Sequence, residues 1–216
     1  MDSLPFAVDH ELEGWALFWA LLEAGDGDPA TLTALRARTG ERVRRRFRAE
    51  TLAQVPAVAE LRRLFRVAGT DPTRYRPSSE ALLRRLLKGA ELPEIHPLVD
   101  LNNALSAELP APCCVMDERH VEPPYVLRAG RADESYESFK GPFRLEGRPL
   151  LVDARGPCDA PVTGSERVKV GAETGRAWLV AYLPAAVLTA DEAAARLQGL
   201  LELAPVAKAV TVGASG

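Results

Sequence analysis

Apolar residues along the first third of the chain recur at intervals that suit helices. Between residues 11 and 24, Leu12, Trp15, Leu17, Phe18, Leu21 and Leu22 fall at near-helical spacing, and Gly25 is suited to end the element. Asp28-Pro29 reads as a cap followed by proline at the first helical position, opening a helix that reaches about Arg38 and ends near Gly40. Residues 41–51 and 56–67 continue the helical pattern, the latter stopped near Gly69. A short helix is expected over 78–88, capped by Ser78 and ended by Gly89, and another over 97–109. The Trp and Phe positions of the N-terminal stretch are read as core contacts.

After Pro112 the pattern changes. Short β-rich runs at 113–116, 125–128, 143–145, 150–152, 167–170 and 177–183 are separated by Gly, Pro and Asp. Residues 189–203 then form an amphipathic helix with Thr189 as its cap and Asp191 and Glu192 in its first turn. A last strand runs through 207–212. Helices first and many short strands afterwards predict an α+β fold rather than a doubly wound parallel sheet.

Composition narrows the class without naming it. The chain has 216 residues, 47% of them hydrophobic and 26% charged, enough for one large domain or a domain with an extension. Its longest apolar run, near 178–183, is far short of the ~20 residues that cross a bilayer. The opening Met-Asp-Ser-Leu-Pro lacks the basic start and apolar core of a signal peptide, so a cytoplasmic protein with no membrane partner is expected. Cys113 and Cys114 are adjacent and Cys158 stands alone, which is neither a disulfide framework nor a zinc pattern. No metal and no cofactor are expected.

Charge is uneven along the chain. Residues 1–35 hold seven acids and no Lys or Arg, whereas 36–90 hold fifteen bases against five acids. In that basic block Arg44, Arg45, Arg48, Arg84 and Arg85 are candidates for neutralising RNA phosphates. The competing reading is a set of solvated helix faces paired with the acidic segments, in a chain that uses Arg for nearly every cation.

The most specific signal is a set of spacings. Val99-Asp100-Leu101-Asn102-Asn103 fits a V-D-x-x-N element; Asp117 follows Asn103 by fourteen residues, Arg128 follows by eleven more, and Glu134 by six. Upstream lie Arg66-Val67-Ala68-Gly69 and Tyr75-Arg76-Pro77-Ser78-Ser79-Glu80. Downstream come Gly156-Pro157 and Pro161-Val162-Thr163-Gly164-Ser165-Glu166-Arg167, with Thr174 beyond. Together these resemble the B3/B4 editing domain of the phenylalanyl-tRNA synthetase beta subunit, in a free-standing form.

The resemblance implies a three-layered α+β domain over 62–216, with a β-sandwich-like core flanked by helices, and leaves 1–61 as a helical N-terminal extension. It implies tRNA or aminoacyl-tRNA as partner, an amino acid as a possible ligand, and no DNA. In the synthetase this domain hydrolyses the ester of mischarged tRNA, a reaction that needs a positioned water and oxyanion donors. By resemblance the substrate-binding positions are Asn103, Cys114, Arg128, Glu134, Ser165, Arg167 and Val180. Cys114 stands where the family pattern has His, Val180 where it has Glu, Gly164 where it has Asp and Val168 where it has Thr. Neither Cys nor Val replaces the hydrogen bonds of His and Glu, which predicts a more apolar pocket and makes tyrosine a poor candidate for the bound side chain. Two functions stay open: a hydrolase that clears mischarged aminoacyl-tRNA in trans, and a non-catalytic module that binds an amino acid or related molecule. A thiol enzyme using Cys113 or Cys114 with His120 or His96 is the rival chemistry. Each polar candidate also has a structural reading: Asp100 and Asn103 as backbone caps, Arg128 with Glu134 as an ion pair, and Asp117 as a turn holder.

Overall fold

The apolar run at residues 15–24 forms a strand, β2 (Trp15–Ala24), and not the helix its spacing suggests. Phe18, Ala20 and Leu22 point to one buried layer while Trp15, Leu17, Trp19 and Leu21 point to another. A strand buried on both faces loses the apolar–polar alternation that normally reveals it, and at this length it imitates a helix. The computed structural model describes residues 6–216. A short strand, β1 (Val8–His10), precedes β2. Four helices follow: α1 (Pro29–Arg46), α2 (Pro56–Val67), α3 (Ser78–Leu87) and α4 (Pro97–Glu108). Then come β3 (Cys113–Asp117), β4 (Tyr125–Ala129), β5 (Ser135–Ser138), β6 (Gly141–Arg144), β7 (Pro149–Asp153), β8 (Gly156–Ala160), β9 (Thr163–Gly164) and β10 (Arg176–Pro184). Helix α5 (Ala190–Leu203) and strand β11 (Ala207–Ser215) close the chain.

The strands make three sheets. One has the order β11-β2-β10-β3 and is antiparallel throughout; a second has the order β1-β4-β7-β8-β9; β5 and β6 form a separate hairpin. β1 joins β4 in parallel, so the N-terminal residues, expected to be helical, contribute a strand to each of the two larger sheets. Helices α1, α3, α4 and α5 cover one face of the four-stranded sheet through Leu35, Leu83, Leu105 and Leu197. Its other face packs against the five-stranded sheet through Trp19, Trp178, Val180, Tyr182, Leu127 and Leu151. The result is helix layer, sheet, sheet: the α+β sandwich flanked by helices.

Local signals explain most boundaries. Asp28 caps α1 by accepting the Thr31 amide at 3.0 Å, with Pro29 in the first turn. Thr189 and Glu192 form a reciprocal capping box at the start of α5. Gly40, expected to stop a helix, lies buried inside α1, which runs on to Arg46, so 41–51 is no separate helix. Ser78 is the first residue of α3 rather than its side-chain cap. Residues 167–170, expected as a strand, instead follow from a short 3-10 turn at Glu166–Val168. No helix among the described residues is long and apolar enough to cross a membrane.

Trp19 reports on the β2–β11 contact. A Cβ added at Gly213 would lie 2.2 Å from the Trp19 ring, which is fully buried. Gly213→Ala should therefore destabilise by about 1–3 kcal/mol through overpacking. In a thermal melt this is a drop of roughly 3–10 °C for a chain of this size. An unchanged melting temperature would contradict the strand assignment of residues 15–24.

Candidate binding site between the sheets

Antiparallel pairing of β3 with β10 sets Cys114 opposite Val180. Both face the space between the two sheets, with Tyr182 two residues further along the same face. From the facing sheet β8 supplies Asp159, whose Oδ2 accepts the Tyr182 hydroxyl at 2.7 Å. Asp159 and Tyr182 are buried, while Cys114, on the edge strand, is partly exposed. The Cys114 thiol and the Ala160 amide are its other polar neighbours, and none of the three is a cation. Burial without a counter-charge pushes Asp159 up to about 7, against the opposing pull of the Tyr182 hydroxyl and its weaker polar neighbours. A carboxyl of that kind can exchange a proton near neutral pH.

The β5–β6 hairpin covers this group. Ser138 bridges to Ser165, and the Tyr136 hydroxyl donates to the Thr163 carbonyl at 2.6 Å. Phe139, at the tip of the hairpin and about half exposed, rests on Gly164. A Cβ at Gly164 would lie 2.6 Å from the Phe139 ring and 3.4 Å from Asp159 Oδ1. Gly164 thus makes room for the Phe139 ring on one side and the Asp159 carboxyl on the other.

The expected site residues do not all converge here. Cys114 and Val180 do, and Ser165 borders the site, its Oγ accepting the Arg167 amide at 3.2 Å. Arg167 is occupied internally: its Nη atoms donate to Asp153 at 3.1 and 2.9 Å, to the His120 carbonyl at 2.8 Å, and to the Gly156 and Pro157 carbonyls. Arg128 and Glu134 form a bidentate pair at 2.8 and 2.6 Å. Glu134 also accepts the Arg131 amide, and Arg128 above all holds its carboxyl down to about 2. That pair fixes the turn after β4. Asp117 accepts the Arg119 guanidinium and amide and the Thr174 hydroxyl at 2.7 Å, which holds its carboxyl well below the usual range. Asn103 lies on α4, which packs on the opposite side of the four-stranded sheet from Cys114 and Val180. Its neighbour Asn102 reaches the Cys113 carbonyl at 3.4 Å, and Asp100 accepts Arg36 at 2.7 Å and the Ile95 amide at 3.1 Å.

Asp159, Tyr182, Tyr136 and Phe139 escaped the sequence reading. A lone acid inside the β-like run Gly156–Ala160 was the available signal for Asp159. The thiol chemistry finds no support, since burial pushes Cys113, Cys114 and Cys158 up and disfavours thiolate. His96 is engaged at the start of α4, its Nδ1 accepting the Leu98 amide.

The basic candidates divide. Arg84 pairs with the buried Glu80 at 2.9 Å, alongside Arg62 and Arg76, while Arg85 is exposed. Arg48 donates to the carbonyls of Arg44 and Phe47 at the end of α1. Arg44 is exposed, and Arg45 meets Glu41 at 3.7 Å.

A family model described as the B3/4 domain matches residues 60–198. Among solved structures, the chain is similar to an N-terminal fragment of the phenylalanyl-tRNA synthetase beta-subunit from Pyrococcus horikoshii, with 14% identity and a TM-score of 0.45. That likeness covers 91% of this chain and 48% of the other, so the chain spans about half the length of the fragment. No curated protein matches the chain.

Asp159 gives the site a pH signature. Its folded-state value is raised above the ordinary 3.8, so its contribution to stability is fully present below that value. It is lost as pH rises toward 7, because the unfolded chain then binds fewer protons. Asp159→Asn removes the titration. Its stability relative to the parent should improve by on the order of 3 kcal/mol between pH 4 and pH 8. Urea titrations at both pH values measure this, and a difference independent of pH would refute the buried, unpaired carboxyl.

Proposed function

Because the chain belongs to the B3/4 domain family, we propose that it binds the aminoacyl end of a tRNA, with the amino-acid side chain entering between β3, β8 and β10. The observation that carries this reading is the pairing of Cys114 with Val180 directly beside Asp159 and Tyr182. Where the family pattern has His and Glu, this wall has lost both polar groups; a carboxyl and a phenol stand next to the vacated positions instead. They supply one acceptor and one donor, set among otherwise apolar neighbours, for orienting a polar group of the substrate.

Ester hydrolysis in trans is the catalytic form of the same reading. Water attack on an aminoacyl ester releases the free amino acid and the tRNA hydroxyl, and a carboxylate within reach of the water would take its proton. Asp159 is suited to that role at neutral pH, where both of its protonation states are populated. The non-catalytic alternative rests on the depth of Asp159 and Tyr182, which lie behind Cys114 and under Phe139.

The test combines binding with turnover on a panel of correctly and incorrectly charged tRNAs, Tyr-tRNA(Phe) included. Cleavage of one mischarged species is expected, reduced about 100-fold or more by Asp159→Asn. Phe139→Ala, at a half-exposed position, should alter affinity without lowering the melting temperature. Binding without cleavage, still sensitive to Phe139→Ala, would establish the non-catalytic module. Absence of both binding and cleavage across the panel would overturn the proposal.

A further inference from the structure

The helix layer carries a concave site, on the opposite face of the four-stranded sheet from Asp159 and Tyr182. A cavity of about 440 Å³ opens where the C-terminal ends of α1 and α4 meet α5. Its lining holds four guanidinium groups, those of Arg42, Arg45, Arg46 and Arg196, against the single carboxylate of Glu108. Behind them, Val43, Phe47 and Ala107 form a buried apolar floor.

Glu108 orients its partners without exhausting them. Its buried carboxylate accepts one nitrogen of Arg42 at 2.8 Å and one of Arg196 at 3.2 Å. Arg46 donates one nitrogen to the Glu108 backbone carbonyl at 2.8 Å, and its guanidinium lies 4.9 Å from the centroid of the Phe47 ring. Among the described residues, the second Nη group of each of these three arginines has no hydrogen-bond partner. Arg45 is largely exposed and meets only Glu41, at 3.7 Å. Guanidinium forks held at one nitrogen and free at the other are arranged for bidentate contact with an oxyanion.

Two helix C-termini would ordinarily repel an anion. Here Arg48 donates to the Arg44 and Phe47 carbonyls at the end of α1, and Arg46 does the same for Glu108 at the end of α4. The negative ends are thereby met by side chains, and the surplus charge in the cavity stays positive.

The volume exceeds what a phosphate alone fills and lies in the range of sites that enclose a small organic molecule. Arginine planes beside an aromatic floor also accept a flat ring by stacking. We propose that this cavity is a nucleotide site, its arginines binding a phosphate and its floor receiving the attached base. The nucleotide is either free or one unit of an RNA strand. This inference is independent of the aminoacyl reading, because the two sites lie on opposite faces of one sheet.

The experiment measures binding of AMP, inorganic phosphate and a short single-stranded RNA to the purified full chain at low and moderate salt. Arg45→Gln serves as the first variant, since the one partner of Arg45 is the exposed Glu41 at 3.7 Å. Arg42→Gln combined with Glu108→Gln serves as the second, avoiding an unpaired buried carboxylate. Each variant should weaken nucleotide binding by roughly tenfold at low salt, as expected for loss of a charge-assisted hydrogen bond. For RNA, each lost contact should also lower the salt slope by about one. Loss toward both AMP and RNA identifies a free-nucleotide site; loss toward RNA with no AMP binding identifies a strand site. Binding of inorganic phosphate alone, or nucleotide and RNA affinities unmoved by both variants, would overturn the proposal.

Discussion

The pairing of β2 with β10 constrains nearly everything else in the fold. Both strands are buried on both faces, so one side of their ladder must be covered by helices and the other by a second sheet. Along β10, Ala177, Leu179, Ala181 and Leu183 serve the helix layer, whereas Trp178, Val180 and Tyr182 serve the sandwich. That parity decides the chemistry. It sets Val180 opposite Cys114 and delivers the Tyr182 hydroxyl to Asp159. A slip of one residue would send Tyr182 into the helix layer and leave a buried carboxyl without its phenolic donor, a costly arrangement in an apolar interior.

A second constraint governs the arginines. Asp100, Glu80 and Glu108 are buried acids on the helices, and each is met by guanidinium groups. Arg36 meets Asp100; Arg62, Arg76 and Arg84 meet Glu80; Arg42 and Arg196 meet Glu108. The planar fork of Arg can serve several acceptors from one position, which suits it to these shared sites better than Lys. The basic block of the sequence therefore has a structural use in part, and Arg44, Arg45 and Arg46 of that block form the last turn of α1.

What was legible in the sequence follows from the range of the interactions involved. Asp28-Pro29 and Thr189 with Glu192 announce their helices because capping is local. The change of period after Pro112 gives the α+β class for the same reason. The strand β2 was illegible because two-sided burial erases its alternation, and Gly40 misled because it sits inside α1. The spacing of Asp117, Arg128 and Glu134 located real polar anchors, yet these hold turns: Arg128 grips Glu134, and Asp117 grips Arg119 and Thr174. Asp159 and Tyr182 meet only across two sheets, and no local pattern reports such a pairing.

The acids of the five-stranded sheet and its surroundings are treated unequally, and the inequality bears on function. Asp117, Glu134 and Asp153 each have a guanidinium partner. Asp159 has a phenol, a thiol and an amide instead. If the position needed only a hydrogen-bond acceptor for Tyr182, an asparagine would provide one without the penalty of a buried carboxyl. If it needed a charge, a guanidinium would stabilise it, as Arg167 does for Asp153. Retaining an ionisable acid while withholding a cation produces a group that changes protonation near neutrality, which is of little use to a scaffold. It is of use where a proton, or a ligand carrying one, must be exchanged, and its neighbours include the partly exposed Cys114 and Gly164, against which the half-exposed Phe139 packs.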